Sequence, residues 1–169
     1  MKNIALIGFM GTGKTSVGKI LGKRLGWTVV DVDLYIEEAE KRRISRIFQE
    51  EGEAYFRSLE KQAIGEICKR QDLVITTGGG AVIEPENLEC LKRSSWVIGL
   101  FATPRTIFKR IRNSRHRPLL DGKDKLGEIE KLLAIRRPFY EKAELRFETD
   151  GRSSAQVAGV ILEALKGKL

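Results

Sequence analysis

The sequence predicts a three-layer α/β domain, a parallel sheet covered by helices on both faces. Two observations carry this. Short apolar runs suited to buried strands recur at residues 4–7, 29–32, 73–76, 96–101 and 145–147, and segments of helical periodicity separate them. Strand–helix alternation builds parallel sheets, whose strands are buried on both faces and read as continuous apolar runs. A chain of 169 residues, 41% of them apolar, suits a single domain spanning 1–169 with a full core.

The elements follow in order. After the first strand, Val17, Ile20, Leu21 and Leu25 form one helical stripe. Residues 34–70 read as two or three helices between the second and third strands. Ile129, Leu132, Leu133 and Tyr140 mark a helix from Leu126 onward. Val157, Ile161, Ala164 and Leu165 mark the last, with Ser153 or Ser154 at its N-cap. Ligands in such sheets gather at the carboxyl ends of the strands.

Composition excludes several classes. Two cysteines, Cys68 and Cys90, make no disulfide framework and fit a reducing cytoplasm. No apolar run approaches the roughly 18 residues of a membrane helix, and the start Met1-Lys2-Asn3-Ile4-Ala5 lacks a small-residue cleavage site, so neither membrane anchor nor secretory signal is expected. Lys+Arg 31 against Asp+Glu 23 gives +8, which opens three options: nucleic acid, membrane or small anions.

Gly8-Phe9-Met10-Gly11-Thr12-Gly13-Lys14-Thr15 matches the phosphate-binding pattern G-x-x-x-x-G-K-[ST] in full. The glycines let successive N–H groups turn toward one anion, and the helix beginning near Lys14 adds its positive dipole end. Lys14 is placed to reach the β/γ-phosphates and Thr15 to set its hydroxyl on Mg²⁺. The chain holds 17 glycines, for which a chance match is on the order of one percent. The motif also lies between a buried strand and an amphipathic helix, as it must. A guanine-reading Asn/Thr-Lys-x-Asp tetrapeptide is absent, which argues against a GTPase. The runs 73–76 and 96–101 end without the carboxylate usual in helicase and transporter ATPases.

The second strand does supply carboxylates, in Val29-Val30-Asp31-Val32-Asp33. Alternation places Asp31 and Asp33 on one side of the strand end, one for the Mg²⁺ shell and one to orient an acceptor hydroxyl and take its proton. A helix N-cap is the competing role for Asp33. Arg57 and Glu60 stand one helical turn apart, so Glu60 can brace the guanidinium and leave its fork for a carboxylate ligand, unless the two form an ordinary surface pair. Gly78-Gly79-Gly80 follows a buried strand, where glycine permits close approach to the backbone; a flexible turn is the alternative. Arg136 lies at i+7 from Ile129, on the core-facing stripe, with Arg137 at the stripe's edge. An arginine on that side needs an anionic partner.

Residues 102–120 hold six basic residues and no acidic one: Arg105, Lys109, Arg110, Arg112, Arg115 and Arg117. They account for +6 of the +8. Helical to about Arg112 and irregular after it, the stretch reads as a lid over a nucleotide. A nucleic-acid surface would interleave aromatics for stacking, and only Phe101 and Phe108 are near. With His116 the single histidine, neither a zinc site nor a histidine triad is credible.

Taken together, residues 8–15, Asp31-x-Asp33, Phe56-Arg57, Gly78-Gly79-Gly80, Arg117-Pro118-Leu119-Leu120 and Arg136-x-Pro138-x-Tyr140-x-x-Ala143 resemble the shikimate kinase family, within the nucleoside-monophosphate-kinase-like P-loop group. The resemblance covers essentially the whole chain. It implies a P-loop kinase fold with a five-stranded parallel sheet of order 2-3-1-4-5, a helical substrate-binding region near 33–70 and a lid near 112–124. The implied activity is transfer of the ATP γ-phosphoryl group to the 3-hydroxyl of shikimate, by a cytoplasmic monomer with no nucleic-acid or membrane partner. By the same resemblance Gly11, Thr12, Gly13, Lys14, Thr15 and Ser16 hold ATP, Thr15 ligates Mg²⁺, and Asp31 supports the metal through water. Asp33 binds shikimate hydroxyls and is the base. Arg57 and Arg136 clamp the shikimate carboxylate, and Gly79 and Gly80 contact the ring hydroxyls. Arg117 moves onto the phosphates, and Arg110 lies against the adenine. Another small P-loop kinase, for a sugar acid or a nucleoside monophosphate, is the nearest rival.

Overall fold

Five parallel strands, β1 (Asn3–Ile7), β2 (Thr28–Asp31), β3 (Leu73–Thr76), β4 (Ser95–Phe101) and β5 (Leu145–Glu148), form one sheet in the order β2-β3-β1-β4-β5. They come from a computed structural model that describes residues 2–112 and 124–169. Helices α1 (Lys14–Leu25) and α7 (Ser154–Ala164) cover one face. Helices α2 (Val32–Glu40), α3 (Ile44–Ile67), α4 (Pro85–Ser94) and α6 (Lys125–Tyr140) pack toward the other, and α5 (Pro104–Ile111) lies beside α6. The order 2-3-1-4-5 and the strand positions agree with expectation to within one or two residues.

The central strand shows why the layers form. Ile4 and Leu6 point to Val17 and Leu21 of α1 and Val157 and Ile161 of α7. Ala5 and Ile7 point to the opposite core of Ile36, Ile64, Leu91, Val97 and Tyr140. Alternate side chains thus serve two cores, and each fully buried Leu or Ile contributes about 1.5–3 kcal/mol. Helix α1 lies unusually close to the sheet: a Cβ on Gly18 would stand 2.7 Å from Thr76 Cγ2 and one on Gly22 2.4 Å from Val29 Cγ2. That closeness seats the start of α1 against the carboxyl edge of the sheet.

The expected helical region resolves into α2 and α3, the latter kinked at Gly52, whose φ of 83° leaves the helical range. Ser153 caps α7 in a reciprocal capping box with Gln156. One expectation is corrected. Strand β2 stops at Asp31 and α2 begins at Val32, so Asp33 sits in the first turn of a helix rather than beside Asp31 on a strand. The cause is local. Asp31 Oδ1 accepts from the backbone N–H of Asp33 at 3.1 Å and of Leu34 at 3.3 Å, so Asp31, not Asp33, is the N-cap. Among the described residues no helix is long and apolar enough to cross a membrane. Arg115, His116 and Arg117, with most of the expected lid, lie outside the described residues.

Candidate active site

The phosphate loop joins β1 to α1. Gly8, Gly11 and Gly13 take φ values of 143°, 76° and 97°, in the left-handed half of the map that favours glycine. Gly13 is the N-cap of α1 and supplies no side-chain cap. The helix N-terminus therefore opens into the loop without a side-chain cap, as an anion site requires. Lys14 Nζ folds back across the loop, donating to the carbonyls of Gly8 at 2.7 Å and Phe9 at 2.9 Å. Thr12 Oγ1 donates to Phe9 O at 2.8 Å and closes the curl. Thr15 and Ser16 are exposed on the first turn of α1.

Across the sheet edge stand the two carboxylates. Asp31 Oδ2 accepts from Thr76 Oγ1 at 2.8 Å, from the residue opposite it in the β2–β3 register. With its two backbone donors, Asp31 has three of its roughly four lone-pair directions taken, which suits a metal held through water. Asp33 is different. Its Oδ1 is buried without a hydrogen-bond partner, and burial, followed by the neighbouring Asp31 charge, pushes its carboxyl up to about 6 against the pull of Lys14 and Arg57. The donors at hand are a threonine hydroxyl and carboxylate oxygens, hard ligands that fit Mg²⁺. Among the described residues no group of three or more His, Cys, Asp or Glu forms a metal cluster.

Three predicted side chains converge on the glycine run after β3. A Cβ on Gly78 would stand 2.9 Å from Asp33 Oδ1, and one on Gly80 2.6 Å from Arg57 Nη2. One on Gly79 would stand 3.6 Å from Arg136 Nη1 and 3.6 Å from Met10 N of the phosphate loop. None of the three glycines has a positive φ, so glycine is present here for close approach and not for backbone shape. Arg136 is half-buried toward this run, whereas Arg137 is exposed and paired with Glu141 at 2.8 Å. The helix phase read from the sequence therefore holds through Pro138.

Arg57 Nη1 meets Glu60 Oε2 at 2.7 Å. Glu60 is only 1% exposed, so the surface-pair reading fails. Burial pushes the Glu60 carboxyl up, and Arg57 opposes that. The fork expected to be free is partly occupied: Glu53 Oε1 accepts from Arg57 Nη2 at 3.1 Å and Nε at 3.3 Å. Because Glu53 is exposed, that pair is weak and replaceable by a ligand carboxylate.

On the far side of the loop, Arg110 donates from Nη1 to Gly11 O at 3.1 Å and Thr149 Oγ1 at 2.9 Å, and from Nη2 to Thr149 O at 2.8 Å. It ties the phosphate loop to the segment after β5. Asp150 secures that segment by accepting from Thr103 Oγ1 at 2.7 Å and from the Thr106 hydroxyl. Sequence reasoning missed four participants: Thr76, Glu53, Thr149 and the hydroxyl of Tyr140. For Thr76 a signal existed, since parallel register sets it opposite Asp31.

A family model described as "Shikimate kinase" matches residues 10–166. The chain belongs to the shikimate kinase family. Shikimate kinase of Thermodesulfovibrio yellowstonii is 45% identical over 163 residues, covering 96% of this chain and 94% of that protein. Shikimate kinase of Moorella thermoacetica is 42% identical, covering 99% and 96%. The structure of shikimate kinase from Acinetobacter baumannii in complex with shikimate superposes with a TM-score of 0.94 at 35% identity, covering 99% of this chain and 94% of that one. Membership in the shikimate kinase family accounts for the sheet order and the P-loop together.

Proposed function

We propose that this chain transfers the γ-phosphoryl group of ATP to the 3-hydroxyl of shikimate, giving shikimate 3-phosphate and ADP. The observation that carries the reading is the convergence of one carboxylate and two guanidinium groups, Asp33, Arg57 and Arg136, on Gly78–Gly79–Gly80 beside the phosphate loop. Two cations match an acceptor with a carboxylate, and a buried carboxylate matches a hydroxyl that must lose a proton. The relative crystallised with shikimate supports the same acceptor.

In this reading the chain works by positioning and charge neutralisation, without a covalent enzyme intermediate. Residues Gly11, Thr12, Gly13, Lys14, Thr15 and Ser16 cradle the phosphates, and Lys14 exchanges its carbonyl partners for phosphate oxygens. Thr15 and, through water, Asp31 would hold Mg²⁺, which neutralises phosphate charge when bound. Asp33 orients the acceptor hydroxyl and takes its proton. Arg57, braced by Glu60, and Arg136 hold the carboxylate, and the backbone of Gly79 and Gly80 meets the ring hydroxyls. The edges of the Arg110 guanidinium are committed to Gly11 and Thr149, which leaves its face for the adenine. Arg117 is assigned to the phosphates, and 112–124 to a lid, by family likeness.

The same reading makes the protein a one-domain cytoplasmic monomer, its helical acceptor side at 33–70, with small-molecule partners only. The concentration of +6 of the +8 net charge in 102–120 argues against a nucleic-acid partner, since a nucleic-acid surface spreads its charge more widely. Coupled ADP release with shikimate, gluconate and AMP as alternative acceptors tests the assignment. Turnover is expected with shikimate; turnover confined to AMP or gluconate, or indifferent to acceptor, would overturn it.

A further inference from the structure

Tyr140 is the polar residue of the Arg136-x-Pro138-x-Tyr140-x-x-Ala143 motif to which the proposed chemistry gives no part. Its ring fills the core at 1% exposure, a task phenylalanine would perform equally well. Its hydroxyl does something else: it donates to Gly79 O at 2.6 Å, across 61 residues of chain. The position a Gly79 Cβ would take lies 3.7 Å from this hydroxyl, 3.6 Å from Arg136 Nη1 and 3.6 Å from Met10 N. One phenol thus stands where the glycine run, the acceptor-side arginine and the phosphate loop meet. Burial pushes the phenol up to about 12, against the opposing charge of Arg136, so it remains a donor throughout the working pH range.

The Gly79 carbonyl and the Gly80 N–H belong to one planar trans peptide and point in opposite directions. Fixing the oxygen therefore aims the N–H. The turn around it is closed by Ala81 N–H donating to Gly78 O at 3.2 Å, a bond that does not hold the central peptide. Without the phenol the Gly79–Gly80 plane can therefore flip about its flanking glycine bonds, which resist rotation least of all residues. We propose that Tyr140 is a positioning residue whose hydroxyl locks the Gly79–Gly80 peptide plane against Arg136, so that the acceptor meets a preset cradle. The inference rests on the reading of Gly79, Gly80 and Arg136 as acceptor contacts.

Tyr140→Phe in the full chain tests it, read by steady-state kinetics with shikimate and ATP varied in turn, alongside Arg136→Lys and a melting curve. Loss of one buried hydrogen bond predicts a rise in KM for shikimate of about 5–30-fold. The change in kcat should be smaller than that, and KM for ATP should be unaltered. A merely structural role would lower the melting temperature without separating the two KM values, and that result would overturn the proposal. A shikimate KM raised by Arg136→Lys but not by Tyr140→Phe would overturn this inference alone. A shikimate KM moved by neither variant would overturn the acceptor-site reading and the inference together. In the Arg136→Lys background the Tyr140→Phe effect should shrink, because the plane no longer has its guanidinium to be held against.

Discussion

Asp33→Asn should cut turnover by about 10²–10⁴-fold, the usual contribution of a positioned general base, while leaving ATP binding intact. The same substitution should make the unliganded protein more stable. The Asp33 carboxyl is raised to about 6 from an unfolded value near 4, so ionising it costs more in the folded state than in the unfolded one. Below pH ~4 the group is protonated in both states and costs nothing. The penalty grows between pH ~4 and ~6 and is complete above that. Removing it should raise stability at pH 7 by ~1–2 kcal/mol after allowance for solvent screening, an advantage that vanishes below pH ~4. Urea unfolding at pH 7 and pH 4 measures it. In the wild type, kcat/KM should fall as pH drops through about 6, and the variant should lack that limb. An Asn variant that is neither slower nor more stable would remove Asp33 from the chemistry. Sites that give up stability for function commonly behave as predicted here.

Gly80→Ala should raise KM for shikimate by about 10–100-fold, the range expected when charge-assisted hydrogen bonds to a carboxylate are lost. The backbone allows alanine, at φ −95° and ψ −12°. The obstruction is the side chain opposite: a Cβ would lie 2.6 Å from Arg57 Nη2 and 2.9 Å from Nη1, so the guanidinium must swing away. The fold should survive, because the displaced atoms are the far end of a flexible chain. Glu60 would then be left buried without its cation, and its carboxyl should titrate higher still. KM for ATP should not change. If both KM values rise together, the glycine serves the loop as a whole and not Arg57.

How much of this was legible in the sequence differs from residue to residue. The sheet follows from five apolar runs, and the P-loop from a spacing that few chains meet by chance. Arg136 was placed by helix phase alone, and the proline two residues later did not rotate it off the stripe. Asp33 was rightly singled out on a wrong local argument: alternation along a strand does not apply once Asp31 caps the helix that begins immediately after it. The buried state of Glu60 could not be read from an i,i+3 spacing, which surface pairs share. Tyr140 counted as apolar in any periodicity, and its hydroxyl acquires meaning only when β3 and α6 come together in space. Glu53 competes for the Arg57 fork as its i,i+4 neighbour on α3, a spacing legible in the sequence, although nothing in the spacing says which of Glu53 and Glu60 is buried.

In the proposed reaction the cradle of Gly78–Gly80, Asp33, Arg57 and Arg136 presents one hydroxyl of a carboxylated acceptor to ATP. Phosphorus–proton correlation NMR on the product of the wild-type reaction with shikimate and Mg·ATP shows which hydroxyl carries the phosphate. A single phosphate ester, on the 3-hydroxyl, is the expected product. Phosphate distributed over several hydroxyls, or ADP formed with no ester, would contradict the proposed reaction.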